Sequence, residues 1–183
     1  MTSHPQMEYQ QVATMLRYAT AAQGYLSDIK SDSTQPRFTR LMLFANHLND
    51  VPAGIYSHDA DHDCLRTVRE GDASIELQRR YFLENYNLKQ AACVVAIVGL
   101  VEGMLQVYGN RGLRILNAEV GVVAQALYMA TAAMSVGCGA ILGFDNIALN
   151  RLLGLEGSDQ TSLLLLLIGP QREEQGRFDY RIV

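Results

Sequence analysis

The segment Leu105 to Arg114, LQVYGNRGLR, sets a tyrosine, a glycine turn and two arginines just ahead of a long apolar run. Positive charge at the N-terminus of the helix that follows adds to the helix dipole and suits phosphate or another anion. The competing assignment is structural, with Arg111 and Arg114 paired to Glu102 or Glu119. Other chemistry-bearing residues are scattered. His58 and His62 in SHDADHD can be drawn with their aspartates as a metal site, but the segment reads better as a hairpin turn, and no metal is expected. Three cysteines, Cys64, Cys93 and Cys138, are odd in number and widely spaced, which argues against a disulfide framework or a metal pair. Cys93, inside AACVVAIVG, reads as a small buried hydrophobe. There is no Ser-His-Asp arrangement, Walker loop or Rossmann fingerprint.

Hydropathy patterning supplies the elements that must position these groups. Met7 to Ala22 carries Val12, Met15, Leu16 and Ala19 at helical spacing, with Gly24 as a left-handed stop. Ser27 to Pro36 is polar and turn-forming, a loop. RLMLFANHL reads as a strand buried on both faces, and GIYSHD and CLRTVREGD as a β-hairpin around a polar turn. DASIELQRRYFLENYN is a surface helix with Asp72 or Ser74 as cap, and AACVVAIVG is a central strand. LVEGMLQVYG is a short helix.

Asn117 to Met134 is a helix with almost no polar face, so it must be covered nearly all round, most easily by a second subunit. SVGCGAILGFD is a glycine-rich loop or short strand. DNIALNRLLGL is a helix capped by Asp145 and stopped by Gly154, and TSLLLLLIG is a last central strand. In the tail, Phe178, Tyr180 and Ile182 alternate, as in a strand added to another sheet edge or a frayed terminus.

At 183 residues, nearly half apolar, the chain has the size and composition of one α+β domain over 1–183. An N-terminal helix and loop occupy 1–37 and the tail 170–183. Acidic residues outnumber basic ones, for a net charge of −4, which argues against a nucleic-acid partner. MTSHPQMEYQ lacks the apolar core of a signal peptide and SLLLLLIG is too short to span a bilayer. Ile115 to Met134 is long enough but carries Asn117, Glu119, Gln125 and Thr131. A soluble, cytoplasmic protein with no membrane partner is expected.

The order of these motifs resembles a known family. GIYSHDADHDCLRTVREGD, VYGNRGLRILNAEVGVVAQALYMA, GAILGFDNIALNRLLGL and LLLLLIG follow one another as in SagB-type, thiazole/oxazole-forming oxidases of the nitroreductase superfamily, over roughly Leu41 to Gly169. The resemblance implies a nitroreductase-like α+β fold, a central and mostly antiparallel sheet flanked by helices. It also implies an intertwined homodimer with FMN between the subunits. Azoline oxidases of this type remove two electrons and two protons from a thiazoline or oxazoline ring in a modified peptide; a biosynthetic partner enzyme is a separate expectation.

By the same resemblance, Tyr108 falls at the tyrosine of a lysine–tyrosine pair used for proton transfer, with Val107 at the lysine position. Arg111 and Arg114 match an Arg-x-x-Arg before the central helix. Leu142 and Gly143 match the segment whose backbone N–H approaches the flavin N5. The tail would wrap the partner.

The chain departs from the family pattern in three ways: Val107 itself, no arginine-rich opening segment, and SDSTQPRFTR where a proline–serine–glycine–glycine loop belongs. Arg37 and Arg40 are the nearby charges able to replace lost phosphate ligands, and Arg172 or Arg177 could reach the partner's site. Two functions are therefore expected in competition. One is an FMN-dependent oxidoreductase acting on a small or peptide-derived substrate. The other is a non-catalytic scaffold or partner subunit, or a non-redox enzyme reusing the pocket.

Overall fold

A computed structural model describes residues 6–25 and 37–171. Its elements in chain order begin with β1 (Met7–Glu8), α1 (Tyr9–Ala21), β2 (Thr39–Ala45), β3 (Leu48–Asn49), β4 (Gly54–Asp59), β5 (Cys64–Glu70) and α2 (Ser74–Arg80). β6 (Cys93–Leu100), α3 (Val101–Tyr108), α4 (Gly112–Ala133), β7 (Val136–Ile141), α5 (Asn146–Leu152) and β8 (Gln160–Pro170) follow. Six strands form one antiparallel sheet in the order β5-β4-β2-β6-β8-β7.

Strand alternation sorts the core into two layers. Leu41, Leu43, Val95, Ile97, Leu166 and Ile168 face α1 and α4. Met42, Phe44, Val94, Ala96, Val98 and Leu165 face α2 and α5. Because both faces are covered, β6 is apolar throughout, with Cys93 to Val98 fully buried. Each large side chain so buried contributes about 1.5–3 kcal/mol. The α1 stripe is the one its spacing predicts: Val12, Met15, Leu16 and Ala19 are all buried. A capping box opens that helix, the Glu8 N–H donating to Gln11 Oε1 at 3.2 Å.

Several boundaries differ from the sequence-based expectation. Gly24 is not in the left-handed region, and α1 winds down through a 3-10 turn, Ala22–Gly24. α2 ends at Arg80, because Tyr81 is drawn into a β-bridge with Phe144. Phe82 and Leu83 beyond it are exposed rather than packed on a helix. The cap position of α2 is Ala73, although Asp72 Oδ1 does accept the Ser74 N–H at 2.8 Å. VGCGAI is a true strand, β7, at the sheet edge. α5 is as expected: Asp145 Oδ1 accepts the Ala148 N–H, and Gly154 takes a φ of 70°. The Ser27 to Pro36 loop and the tail from Arg172 onward lie outside the described residues.

The long helix starts earlier than its apolar run, at Gly112, and is covered on one side only. Leu116, Val120, Val123 and Leu127 are buried, whereas Leu113 and Met129 are 48% and 52% exposed. With α3 it makes a 33-residue helical stretch, Val101–Ala133, long and apolar enough by composition to cross a membrane. The buried face of α4 is spent on α1 and the sheet, as in a core helix.

Candidate functional site

The α3–α4 junction is made by close backbone approach. α3 closes at Gly109, whose φ of 55° suits glycine, and a 3-10 turn, Gly109–Arg111, leads into α4. A Cβ on Gly112 would lie 2.7 Å from the Met104 carbonyl oxygen, so a larger residue there would push the two helices apart. Tyr108 packs edge-on against the buried Phe38 ring, centroids 6.2 Å apart. Tyr108, Arg111, Arg114 and Ile115 then line one groove of about 510 Å³. Both guanidiniums are exposed, and no ion pair among the described residues joins either to Glu102 or Glu119. Glu119 points into the core side of α4, away from that role. Val107, at the expected lysine position, is 51% exposed.

Leu142 and Gly143 stand apart from that groove, on the turn after β7. The Gly143 carbonyl accepts the Phe82 N–H at 2.8 Å, while its own N–H donates to no described acceptor. A Cβ at Gly143 would meet the Leu83 and Tyr81 side chains at ordinary distances, 3.4 and 4.0 Å, and its φ is not positive. Neither backbone strain nor internal packing requires glycine here. What stands open is the Gly143 N–H, unpaired among the described residues, beside an exposed Leu142.

Arg37 and Arg40 belong to a third place. They line a cavity of about 670 Å³ at the end of the sheet where β2 begins, together with His58, Asp59, Asp61 and Arg66 of the hairpin. The Arg37 Nη1 donates to Asp61 Oδ1 at 3.0 Å, and Arg40 makes no ion pair with any described residue. The predicted site residues thus fall into three groups. Phe38, next to Arg37 in the chain and against Tyr108 in space, is the link between two of them.

Among the described residues no group of three His, Cys, Asp or Glu side chains could hold an ion. The two histidines turn to different partners. His62 Nδ1 meets Asp59 at 2.9 Å; His58 Nδ1 lies 3.3 Å from the Thr20 hydroxyl, with Nε2 3.8 Å from Asp63. Burial lowers the His58 pKa below its ordinary value, outweighing the nearby Asp63 and Asp59 carboxylates, which raise it. Asp63 is also bound by Arg17 of α1, so the tip is tied to that helix. Sequence reasoning missed this network: aspartates at 59, 61 and 63 against arginines at 17, 37 and 66 carry no local signal of who pairs with whom. Burial raises the Cys93 thiol pKa and pushes Cys138 up to about 11, so neither thiol is set up as a nucleophile.

No curated protein matches the chain by sequence. Solved structures do match it in fold. One is a protein assigned as a nitroreductase from Anabaena variabilis, at 20% identity and a TM-score of 0.79 over 93% of this chain. Another is a chain of the E. coli microcin synthetase McbBCD complex with truncated pro-MccB17 bound, at 14% identity and 0.74 over 92%. A nitroreductase family protein from Streptococcus pneumoniae gives 17% and 0.65 over 99%, and 88% of that protein is covered. The chain spans only 35% of the Anabaena protein and 66% of the microcin synthetase chain. Residues 12–169 match the Nitroreductase family, and the six-strand antiparallel sheet flanked by helices is a nitroreductase-like α+β fold. This chain is a member of the nitroreductase family.

Proposed function

We propose that the chain is an FMN-dependent oxidoreductase of the azoline-oxidase type, a homodimer performing a two-electron oxidation or reduction on a small or peptide-derived substrate. The observation that carries this reading is the bare backbone at Gly143, in a nitroreductase-family fold whose members generally bind FMN. Bound against that backbone, FMN supplies a hydride acceptor and donor at N5. Leu142 offers an apolar contact and the Gly143 N–H a donor. Across a dimer seam, where the three groups can come from both subunits, Arg111 and Arg114 would favour the anionic end of the cofactor, Arg37 and Arg40 its phosphate, and Tyr108 would give or take a proton on the substrate.

The second subunit covers the outer face of α4. A groove of about 670 Å³ between α1 and α4, lined by Tyr18, Ala118, Gly121, Val122 and Met129, gives another helix close access. The peptide version of the substrate and a biosynthetic partner enzyme rest on the motif resemblance and on the likeness to a microcin synthetase chain.

Val107 favours a second reading. An exposed apolar side chain where the family keeps a proton-transfer lysine suits a subunit that has given up catalysis and serves as a scaffold for an active partner. The visible spectrum of the purified protein, before and after incubation with FMN, separates the two. A flavin band and a sedimenting dimer are expected. A colourless protein that takes up no FMN removes the first reading.

A further inference from the structure

At the end of the sheet, the three carboxylates of the hairpin tip are held with unequal strength. Asp59 is locked in place. It accepts from Arg66 Nε at 2.7 Å, His62 Nδ1 at 2.9 Å and the backbone N–H groups of Asp61 and His62, at 3.1 and 3.2 Å. Asp63 is held by Arg17. Asp61 is different: its side chain is 80% exposed, and among the described residues its carboxylate accepts from Arg37 alone, at 3.0 Å, while Arg37 is itself 47% exposed. Of the three guanidiniums on the cavity wall, Arg66 is therefore neutralised, Arg37 is held by a carboxylate that water already reaches, and Arg40 has no carboxylate partner among the described residues.

We propose that this cavity takes the dianionic head of a phosphomonoester, and that Asp61 is an internal competitor that occupies Arg37 until the ligand displaces it. With Asp61 in place, and His58 neutral, the lining carries one positive charge in excess. With Asp61 turned out to solvent it carries two, which matches a phosphate dianion and not a carboxylate. An exposed ion pair contributes little, so giving it up costs little, while phosphate on two guanidiniums gains charge-assisted, forked hydrogen bonds. The hydroxyls of Thr39 and Ser57 on the same wall can add neutral donors. Asp61 thereby sets specificity, since a ligand too weakly charged to replace it finds only Arg40. This rests on the flavin reading only for the source of the phosphate, because FMN and a free phosphate present the same chemistry.

The test measures binding of FMN, riboflavin and inorganic phosphate to the wild type, Asp61→Asn, Arg40→Gln and Glu156→Gln. The last removes one negative charge from a comparable exposed pair, Arg151–Glu156, outside the cavity. Asp61→Asn should tighten FMN and inorganic phosphate by roughly two- to fivefold, leave riboflavin unchanged and keep the wild-type melting temperature. Glu156→Gln should change nothing, and Arg40→Gln should weaken both phosphates by about tenfold or more. Inorganic phosphate tightened by Asp61→Asn, with no FMN bound, upholds the cavity and removes the flavin reading. FMN bound equally well by wild type and Asp61→Asn does the reverse. Equal gains in Asp61→Asn and Glu156→Gln reduce the effect to net charge and overturn the competition. Failure of every variant to bind either phosphate overturns both.

Discussion

The groove at the α3–α4 junction and the cavity at the hairpin end both display arginines, but they answer them in opposite ways. In the groove, Arg111 and Arg114 stand exposed without a carboxylate partner among the described residues. At the hairpin, Arg17 and Arg66 each meet an aspartate and tie α1 and β5 to one tip, whereas Arg37 meets Asp61 only through an exposed pair and Arg40 has no carboxylate partner among the described residues. Charges that serve the fold are found paired. Folding gives no account of the two in the groove, which fits charges kept for a ligand. The contrast yields measurable consequences.

The largest concerns Tyr108. If the groove performs acid–base work, Tyr108→Phe should lower turnover by about a hundredfold while leaving the melting temperature near wild type, because the ring and its contact with Phe38 survive. Turnover unchanged within about twofold clears the tyrosine of that role. Next comes the arginine pair. Replacing Arg111 and Arg114 together by glutamine should weaken FMN binding by roughly tenfold or more and scarcely change stability. Arg17→Gln should do the converse: a lower melting temperature, because Asp63 loses its α1 partner, with FMN affinity intact. Should both variants shift stability alike, the distinction between ligand charges and fold charges collapses.

Much of this architecture is legible in the sequence where one local signal dominates. β6 and β8 announce themselves as apolar runs because both faces of the sheet are covered. The hairpin is written in its turn, and α5 in Asp145 and Gly154. Legibility fails where a distant segment decides. α2 stops at Arg80 because Phe144 captures Tyr81, more than sixty residues away in the chain. Composition makes α4 apolar on every side, but only packing says which side the sheet takes. The site divides in the same way. Tyr108, Arg111 and Arg114 are neighbours in sequence and share one groove, whereas Arg37 and Arg40, grouped with them by charge alone, line another cavity among carboxylates no pattern could assign to them.

The smallest predicted effect tests the paired side of the comparison by pH. The His58 side chain is 5% exposed, wedged between Thr20 of α1 and Asp63, with Asp59 and the Arg37 guanidinium nearby. Its folded pKa is lowered, chiefly by burial, so the unfolded chain binds a proton more readily than the folded one. The contribution of the neutral ring is thus complete above the unfolded value, about 6.5, and is lost as pH falls below it. The carboxylates of Asp59 and Asp63, held below their usual range mainly by Arg66 and Arg17, stay ionised across that window and add no step of their own. The melting temperature should therefore decline between pH 7.5 and 5.5, and His58→Gln should flatten the decline. If the variant keeps the wild-type slope, the buried imidazole is not what couples the hairpin to α1, and the tip is held by its arginines alone.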